Sequence, residues 1–436
     1  MKPACRCGEY DAGPRDRGDA QAARRHLHSN TTKAVSPLPE TTPDSEMQMK
    51  NKKINISVIA VAAFAASSAA MAQSSVTLYG MLDAGIGYTS NINGHSRFGL
   101  DGGAAGSNKW GLRGQEDLGG GLQAVFKIEN GFNIATGGIG GQGPIGTTRS
   151  LFNRQAYVGL ASSQYGALRM GRQLDAVTEM VQVLTGDAIS ASTFSTPGDV
   201  DNNDNTTNQN NAVKYISPII HGFQAEAAYS FGGVAGATGS GQSWSAAATY
   251  AQGGLTVAGG YFRAANQGEN GWTNATAQPS FGGALGYPSS GYNGGNAFKS
   301  AGIAQIAAQY EVGPYTAGLR YSNAQYKGND GQPSIHFNVL GALLQYRVTP
   351  ALSLATGYTY VYGSAATPTQ AAEGRTMASI NQVSLGATYS LSKSTALYAM
   401  GAYVHAKGAQ ASAADFGNTS SGGNQVQVNI GMFHGF

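Results

Sequence analysis

From Val76 to the last residue, Phe436, apolar and polar side chains take turns in one segment after another, a period of two that suits strands with two unlike faces. In the first run Val76, Leu78, Leu82, Ala84, Ile86 and Tyr88 share one face, and Thr77, Tyr79, Met81 and Asp83 the other. The pattern returns in Leu122 to Phe132, Phe223 to Phe231, Trp244 to Tyr250, Leu255 to Arg263, Gly302 to Tyr310, Tyr315 to Tyr326, Ile335 to Val348, Leu352 to Tyr362, Ile380 to Leu391, Thr395 to Lys407 and Gln425 to Phe436. Shorter runs at Lys109 to Glu116, Arg154 to Leu160, Ala167 to Gln173 and Ala212 to Ser217 bring the expected strands to sixteen. An even number is what a closed single-chain bacterial barrel requires.

The connections alternate as well. Tight ones at 117–121, 218–222, 251–254, 311–314, 348–351 and 392–394 are separated by long loops rich in Gly, Asn, Ser and Thr, such as 202–211 and 286–296. One rim therefore carries turns and the other long solvated loops. A soluble β-sandwich also alternates, but it packs large aliphatics inside and shows charges outside. This chain has 63 glycines and only 12% charged residues, with Ala, Gly and Tyr frequent on its apolar faces and Gln, Asn, Thr and Gly on its polar ones. Hydrocarbon suits the first set and a water-filled lumen the second. Tyr310, Tyr315, Tyr358, Tyr360 and Tyr362 sit near strand ends, where an interfacial girdle belongs. The expected fold is all-β, a sixteen-stranded antiparallel transmembrane β-barrel.

Ahead of it, Lys50, Lys52 and Lys53 precede an apolar run from Ile54 to Ala66 and the small-residue stretch Ser67 to Gln73. That is the layout of a secretion signal, too short to span a bilayer, with cleavage expected between Ala72 and Gln73. Residues 49–72 are read as the signal peptide, 73–436 as the barrel, and 1–48, polar and without period, as an over-extended start or a disordered extension. Ten of the 27 basic and seven of the 24 acidic residues precede Gln73, so 17 of each remain and the exported chain is formally neutral. Such a balance offers no footprint for nucleic acid. Both cysteines, Cys5 and Cys7, fall in the extension, leaving no disulfide or zinc site in the barrel.

Specific stretches add to this reading: Val76-Thr77-Leu78-Tyr79-Gly80-Met81-Leu82-Asp83-Ala84-Gly85, the run Lys109 to Gly119 (KWGLRGQEDLG), Ala124 to Phe132 (AVFKIENGF), Arg154 to Leu160 (RQAYVGL), Gly171-Arg172-Gln173, and Asn211 to Pro218 (NAVKYISP). With these the chain resembles the trimeric general porins of beta-proteobacteria, of the Burkholderia, Bordetella and Neisseria type, over essentially all of 73–436. The resemblance implies an outer-membrane homotrimer, with a second external loop near 133–153 reaching over a neighbour. It also implies a terminal signal for the barrel-assembly machinery, carried by Phe436 with Met432 and Ile430. Phe433 and Gly435 depart from the basic residues common in related chains.

The resemblance further implies that the third external loop, Leu174 to Asn211, folds inward to narrow the lumen. It holds Asp175, Glu179, Asp187, Asp199, Asp201 and Asp204 and no Lys or Arg. Strand parity directs Lys109, Arg113, Lys127, Arg169, Arg320 and Arg347 to the opposite, lumenal face. A basic wall facing an acidic loop sets up a transverse field that orients water and small hydrophilic solutes and ions and disfavours apolar ones. The six loop acids point to weak cation preference, and Arg154, Arg172 and Arg263 are expected at the rims.

The expected function is an outer-membrane general diffusion channel in contact with outer-membrane lipids, not an enzyme. The histidines of the mature chain, His95, His221, His336, His405 and His434, stand in no nucleophile or metal arrangement, so no metal or cofactor is expected. Two alternatives remain: a substrate-specific channel, and a surface adhesin or receptor barrel whose lumen is closed.

Overall fold

The computed structural model describes residues 74–139, 150–190, 193–205, 208–265, 298–328, 334–366, 376–408, 414–415 and 418–436. The expected signal peptide, the Ala72–Gln73 cleavage site, the residues before them and the middle of the second external loop lie outside this set.

One antiparallel sheet closes on itself. Its strands are β1 (Ser75–Ile92), β2 (His95–Asp101), β3 (Lys109–Gly119), β4 (Leu122–Gly131), β5 (Gln155–Ser162), β6 (Gly166–Gln173), β7 (Gln209–Ile216), β8 (Phe223–Ser230) and β9 (Ser243–Gln252). The ring continues with β10 (Leu255–Ala265), β11 (Phe298–Val312), β12 (Tyr315–Gly328), β13 (Ser334–Arg347), β14 (Leu352–Ala366), β15 (Thr376–Ser390), β16 (Thr395–Gly408) and β17 (Asn424–Gly435). β17 pairs with β1 from Met81↔Gly435 to Thr89↔Gln427, so no edge of the sheet is left open. Phe436 secures that seam: its amide donates to the Gly80 carbonyl (3.1 Å) and its carbonyl accepts from the Gly80 amide (2.9 Å).

Among the described residues the ring has seventeen strand segments but sixteen staves, because β2 and β3 lie end to end against the long β1. Gly85 pairs with Asp101 and Met81 with Lys109, so Leu82, Asp83 and Ala84 face all of 102–108. The surplus residues form a bulge. Asp83 fixes it by accepting from the amides of Ala105 (2.7 Å) and Gly106 (2.8 Å) and from Tyr398 Oη (2.6 Å). His95 begins β2, a strand absent from the sixteen runs read from the sequence. Its run was too short and too interrupted by glycine to read as a strand.

Large apolar side chains are exposed around the outer face, Leu319 at 68% and Ile430 at 62% among them, an arrangement that favours hydrocarbon over water outside the ring. The inner face is less uniform than alternation implied. On β10–β16 inward positions are filled by Phe262, Ile303, Tyr326, Phe337, Val339, Val361, Ile380 and Val404, in one buried cluster with Val177, Val181, Leu184 and Val200 of the segment joining β6 to β7. That segment therefore has an apolar seat on the inner wall.

Candidate pore constriction

The segment 174–208 begins with a single helical turn, α1 (Ala176–Val181). Asp175 caps it, its Oδ1 accepting from the amides of Val177 (2.9 Å) and Thr178 (3.0 Å). The Ala176 amide donates to Ser245 Oγ of β9 (2.9 Å), which starts the segment along the inner wall. Further on, the wall reaches for the segment's backbone. Gln382 Nε2 donates to the Ser195 carbonyl (2.9 Å), Ser384 Oγ to the Thr193 carbonyl (2.5 Å), and Tyr326 Oη to the Val200 carbonyl (2.9 Å).

Two contacts dominate the seat. Arg320 of β12 donates to Asp201 Oδ2 (2.9 Å) and to Thr196 Oγ1 (2.6 Å), and Ser322 Oγ donates to the same Asp201 oxygen. Both ions are buried, Asp201 fully. Phe194 fits a socket made by missing side chains: a Cβ on Gly357 would lie 2.8 Å from its ring, and one on Gly386 3.2 Å. Gly386→Leu should push Phe194 out of this socket and lower thermal stability by about 1–3 kcal/mol, the range for overpacking a filled site; the shift in the heat-modifiability midpoint on gels measures it. Finally, Ser190 Oγ donates to the Ala104 carbonyl, tying the segment to the 102–108 bulge.

The expected acids are therefore unequal. Asp175 and Asp201 are not open lumenal carboxylates: one caps a helix and the other neutralises Arg320. Glu179 receives Arg169 (3.0 Å) and Lys214 together. Burial alone would raise its pKa, but these two cations outweigh it and hold the carboxyl below its usual range. Asp187, Asp199 and Asp204 lie close together. The Asp204 amide donates to Asp199 Oδ1 (2.8 Å), and the carboxyls of Asp187 and Asp204 are hydrogen-bonded, which requires a proton on one of them. Burial first, and then the charge of Asp199, push Asp187 up to about 7.

The basic residues divide in the same way. Arg320 belongs to the seat, and Arg347 is exposed beside the tight turn after β13. Arg169 lies over the Tyr157 ring at 5.0 Å and pairs with Glu179. On β3 and β4, Arg113 and Lys127 are opposite each other and share the Tyr79 ring, at 5.3 and 5.6 Å. Glu129 anchors this group, accepting from Tyr79 Oη (2.8 Å) and from Arg154 Nε (2.7 Å) with Lys127 Nζ at 3.3 Å. Lys109 is within electrostatic reach of Arg154, Lys127, Glu129 and, from the inner segment, Asp187.

Arg154, expected at a rim, thus curls into the basic wall. Arg172 bonds the Asn153 carbonyl (2.7 Å) and Asn210, and Arg263 stands beside Trp244 and Tyr261 on the outer face. Lys214, fully buried and also 3.5 Å from Glu226, escaped the sequence reading because β7 has apolar residues on both faces. Phe194 escaped as well, although inward glycines at 357 and 386 were a usable sign of something packed against them. Among the described residues no cluster of His, Cys, Asp and Glu is arranged to hold a metal ion.

Comparison with known proteins agrees with this architecture. Residues 58–409 match the family described as Gram-negative porin. An outer membrane porin protein of Bordetella pertussis is 37% identical over 205 residues, 41% of this chain and 48% of that protein. Outer membrane porin protein 32 of Delftia acidovorans is 37% identical over 183 residues, 40% and 49% of the two chains. These matches span about half the length of each relative. The solved anion-selective porin from Comamonas acidovorans superposes with a TM-score of 0.63 at 24% identity, covering 84% of this chain and 100% of its own. With a family match running through most of its length and a closed sixteen-stave ring, the chain belongs to the Gram-negative porin family.

Proposed function

We propose that the barrel is a general diffusion channel for small hydrophilic solutes and ions, narrowed by the 174–208 segment and weakly anion-preferring. It sorts by size and charge and makes or breaks no bond. The observation that carries the sign is the group around Glu129: Lys109, Lys127 and Arg154 share one carboxylate, and Arg113 stands beside them over the Tyr79 ring. Acids of the 174–208 segment are already committed, Asp175 to a cap, Asp201 to Arg320 and Glu179 to the Arg169–Lys214 pair of the wall, while Asp187 and Asp204 share a proton. This reverses the cation preference expected from counting loop acids, because counting cannot tell a buried, paired carboxylate from one facing water. The Comamonas acidovorans porin is described as anion-selective; at 24% identity it supports the fold, and the sign here rests on these side chains. The homotrimer and the assembly role of Phe436, Met432 and Ile430 rest on the family resemblance.

Reversal potential in planar bilayers across a KCl gradient tests the sign. A chloride-to-potassium permeability ratio above one is expected, and a ratio below one would sink the reading.

Asp187 adds a pH dependence. Its raised pKa means that the folded barrel holds a proton the unfolded chain has already lost. The stabilising contribution is full below the ordinary carboxylate range and is lost as pH rises through about 7. Anion preference should strengthen between pH 8 and pH 5, with Asp187→Asn removing that change; an equal change in the variant would acquit Asp187.

A further inference from the structure

The outer face of β10–β14 holds an apolar hollow that the channel reading does not use. Along one register row the outward residues are Val257, Ala308, Leu319, Ala342 and Tyr358, large and small in turn. Ridges with alanine troughs between them leave an apolar hollow of about 430 Å³, with Ile306 and Leu340 in its lining.

Towards the long-loop rim the same face becomes polar in steps. The lowest outward polar residue on β10 is Arg263, whose row runs through Gln325 and His336. On β12 and β13 polarity begins one row lower, with Asn323 opposite Asn338. On β15 and β16 it begins lower again, with Asn381 opposite His405. A level membrane surface crossing tilted strands produces this staircase. Tyrosines hang from the step: Tyr321 Oη donates to Asn338 Oδ1 (2.8 Å) and Tyr358 Oη to Asn381 Oδ1 (2.6 Å). The hollow therefore lies on the hydrocarbon side of the boundary, with Arg263 and the exposed Lys327 further along β10 and β12 on the aqueous side. Among the described residues no carboxylate faces outward in this half of β10–β16.

We propose that this surface binds one anionic phosphomonoester lipid of the surrounding leaflet, an acyl chain in the Ala308–Ala342 hollow and the phosphate against Arg263 and Lys327. An apolar trough alone would take any lipid tail, and cations alone any phosphate. Placed on the two sides of the membrane boundary, they select an acylated phosphomonoester with a net anionic headgroup over a zwitterionic phosphodiester such as phosphatidylcholine, whose choline offsets the phosphate charge.

Native mass spectrometry of the detergent-purified barrel, titrated separately with diphosphorylated lipid A, phosphatidylcholine and inorganic phosphate, tests this. Lipid A should bind at one copy per chain, and millimolar inorganic phosphate should not displace it. At about a fivefold change per cation near a charged surface, Arg263→Gln with Lys327→Gln should weaken lipid A roughly 25-fold and leave phosphatidylcholine unchanged. Ala342→Trp should abolish the lipid A adduct by filling the hollow, with Ala308→Leu as the second groove variant should the first fail to fold on a heat-modifiability gel. Equal retention of lipid A and phosphatidylcholine by the unaltered barrel, no loss in the charge variant, or retention in a folded groove variant would overturn the proposal. So would a groove variant that changes oligomer mass instead, since the occupant would then be a second copy of the chain. Conductance is expected to be unchanged in all these variants, so this site and the channel reading fail separately.

Discussion

Asp201→Asn should raise single-channel conductance and its open-channel noise more than any other single loop substitution. The variant keeps the shape of the side chain but leaves the Arg320 guanidinium buried without its counter-charge, at a cost of about 3–5 kcal/mol for breaking an interior ion pair. The barrel wall is held by a closed ladder of backbone hydrogen bonds, whereas the 174–208 segment is held by a few side chains, so the loss falls on the seating of the segment. Phe194→Ala acts on the neighbouring anchor, and emptying the socket over Gly357 and Gly386 should cost about 3–5 kcal/mol in the same direction. The decisive comparison is a double variant. Asp201→Asn with Arg320→Gln removes both buried charges, so it should be less disturbed than Asp201→Asn alone. Planar-bilayer conductance and heat-modifiability measured on the same preparations check this. Unchanged current and noise in Asp201→Asn would show that the ion pair does not hold the segment.

The ring was legible in the sequence because a barrel repeats one simple rule, and sixteen staves follow from alternation and turn spacing. The lumen was less legible, for a physical reason. Parity assigns a side chain to a face but says nothing of what stands before it. Arg113 and Arg320 carry the same parity, yet one lies over Tyr79 facing the lumen and the other is covered by Asp201 and Thr196. Six acids in one loop read as a single charged surface, whereas folding turns Asp175 into a cap and Asp187 into a proton-sharing partner. Arg154 shows the converse: just outside β5 its backbone no longer obeys strand parity, and its side chain reaches inward to Glu129. The 102–108 bulge left no periodic trace, since its residues are excess to the ladder and are fixed by a distant carboxylate, Asp83.

Reversing the charge of the wall should reverse the ion preference. In Arg113→Glu with Lys127→Glu, the two cations that share the Tyr79 ring become carboxylates, so Lys109 and Arg154 face three acids where four cations had faced one. Coulomb interactions at this separation are effective only where salt does not screen them. With a Debye length of roughly 10 Å at 0.1 M and 3 Å at 1 M, the inversion should be complete in dilute KCl and much reduced in concentrated KCl. The neutral pair Arg113→Gln with Lys127→Gln should fall between the two. Arg347→Glu makes a control, because its exposed position beside a tight turn places the same charge change at the rim. Reversal potentials for the four channels at two salt concentrations provide the check. If the wall variant kept the chloride preference of the parent while Arg347→Glu lost it, selectivity would reside at the turn-side mouth and the basic group around Glu129 would have no part in it.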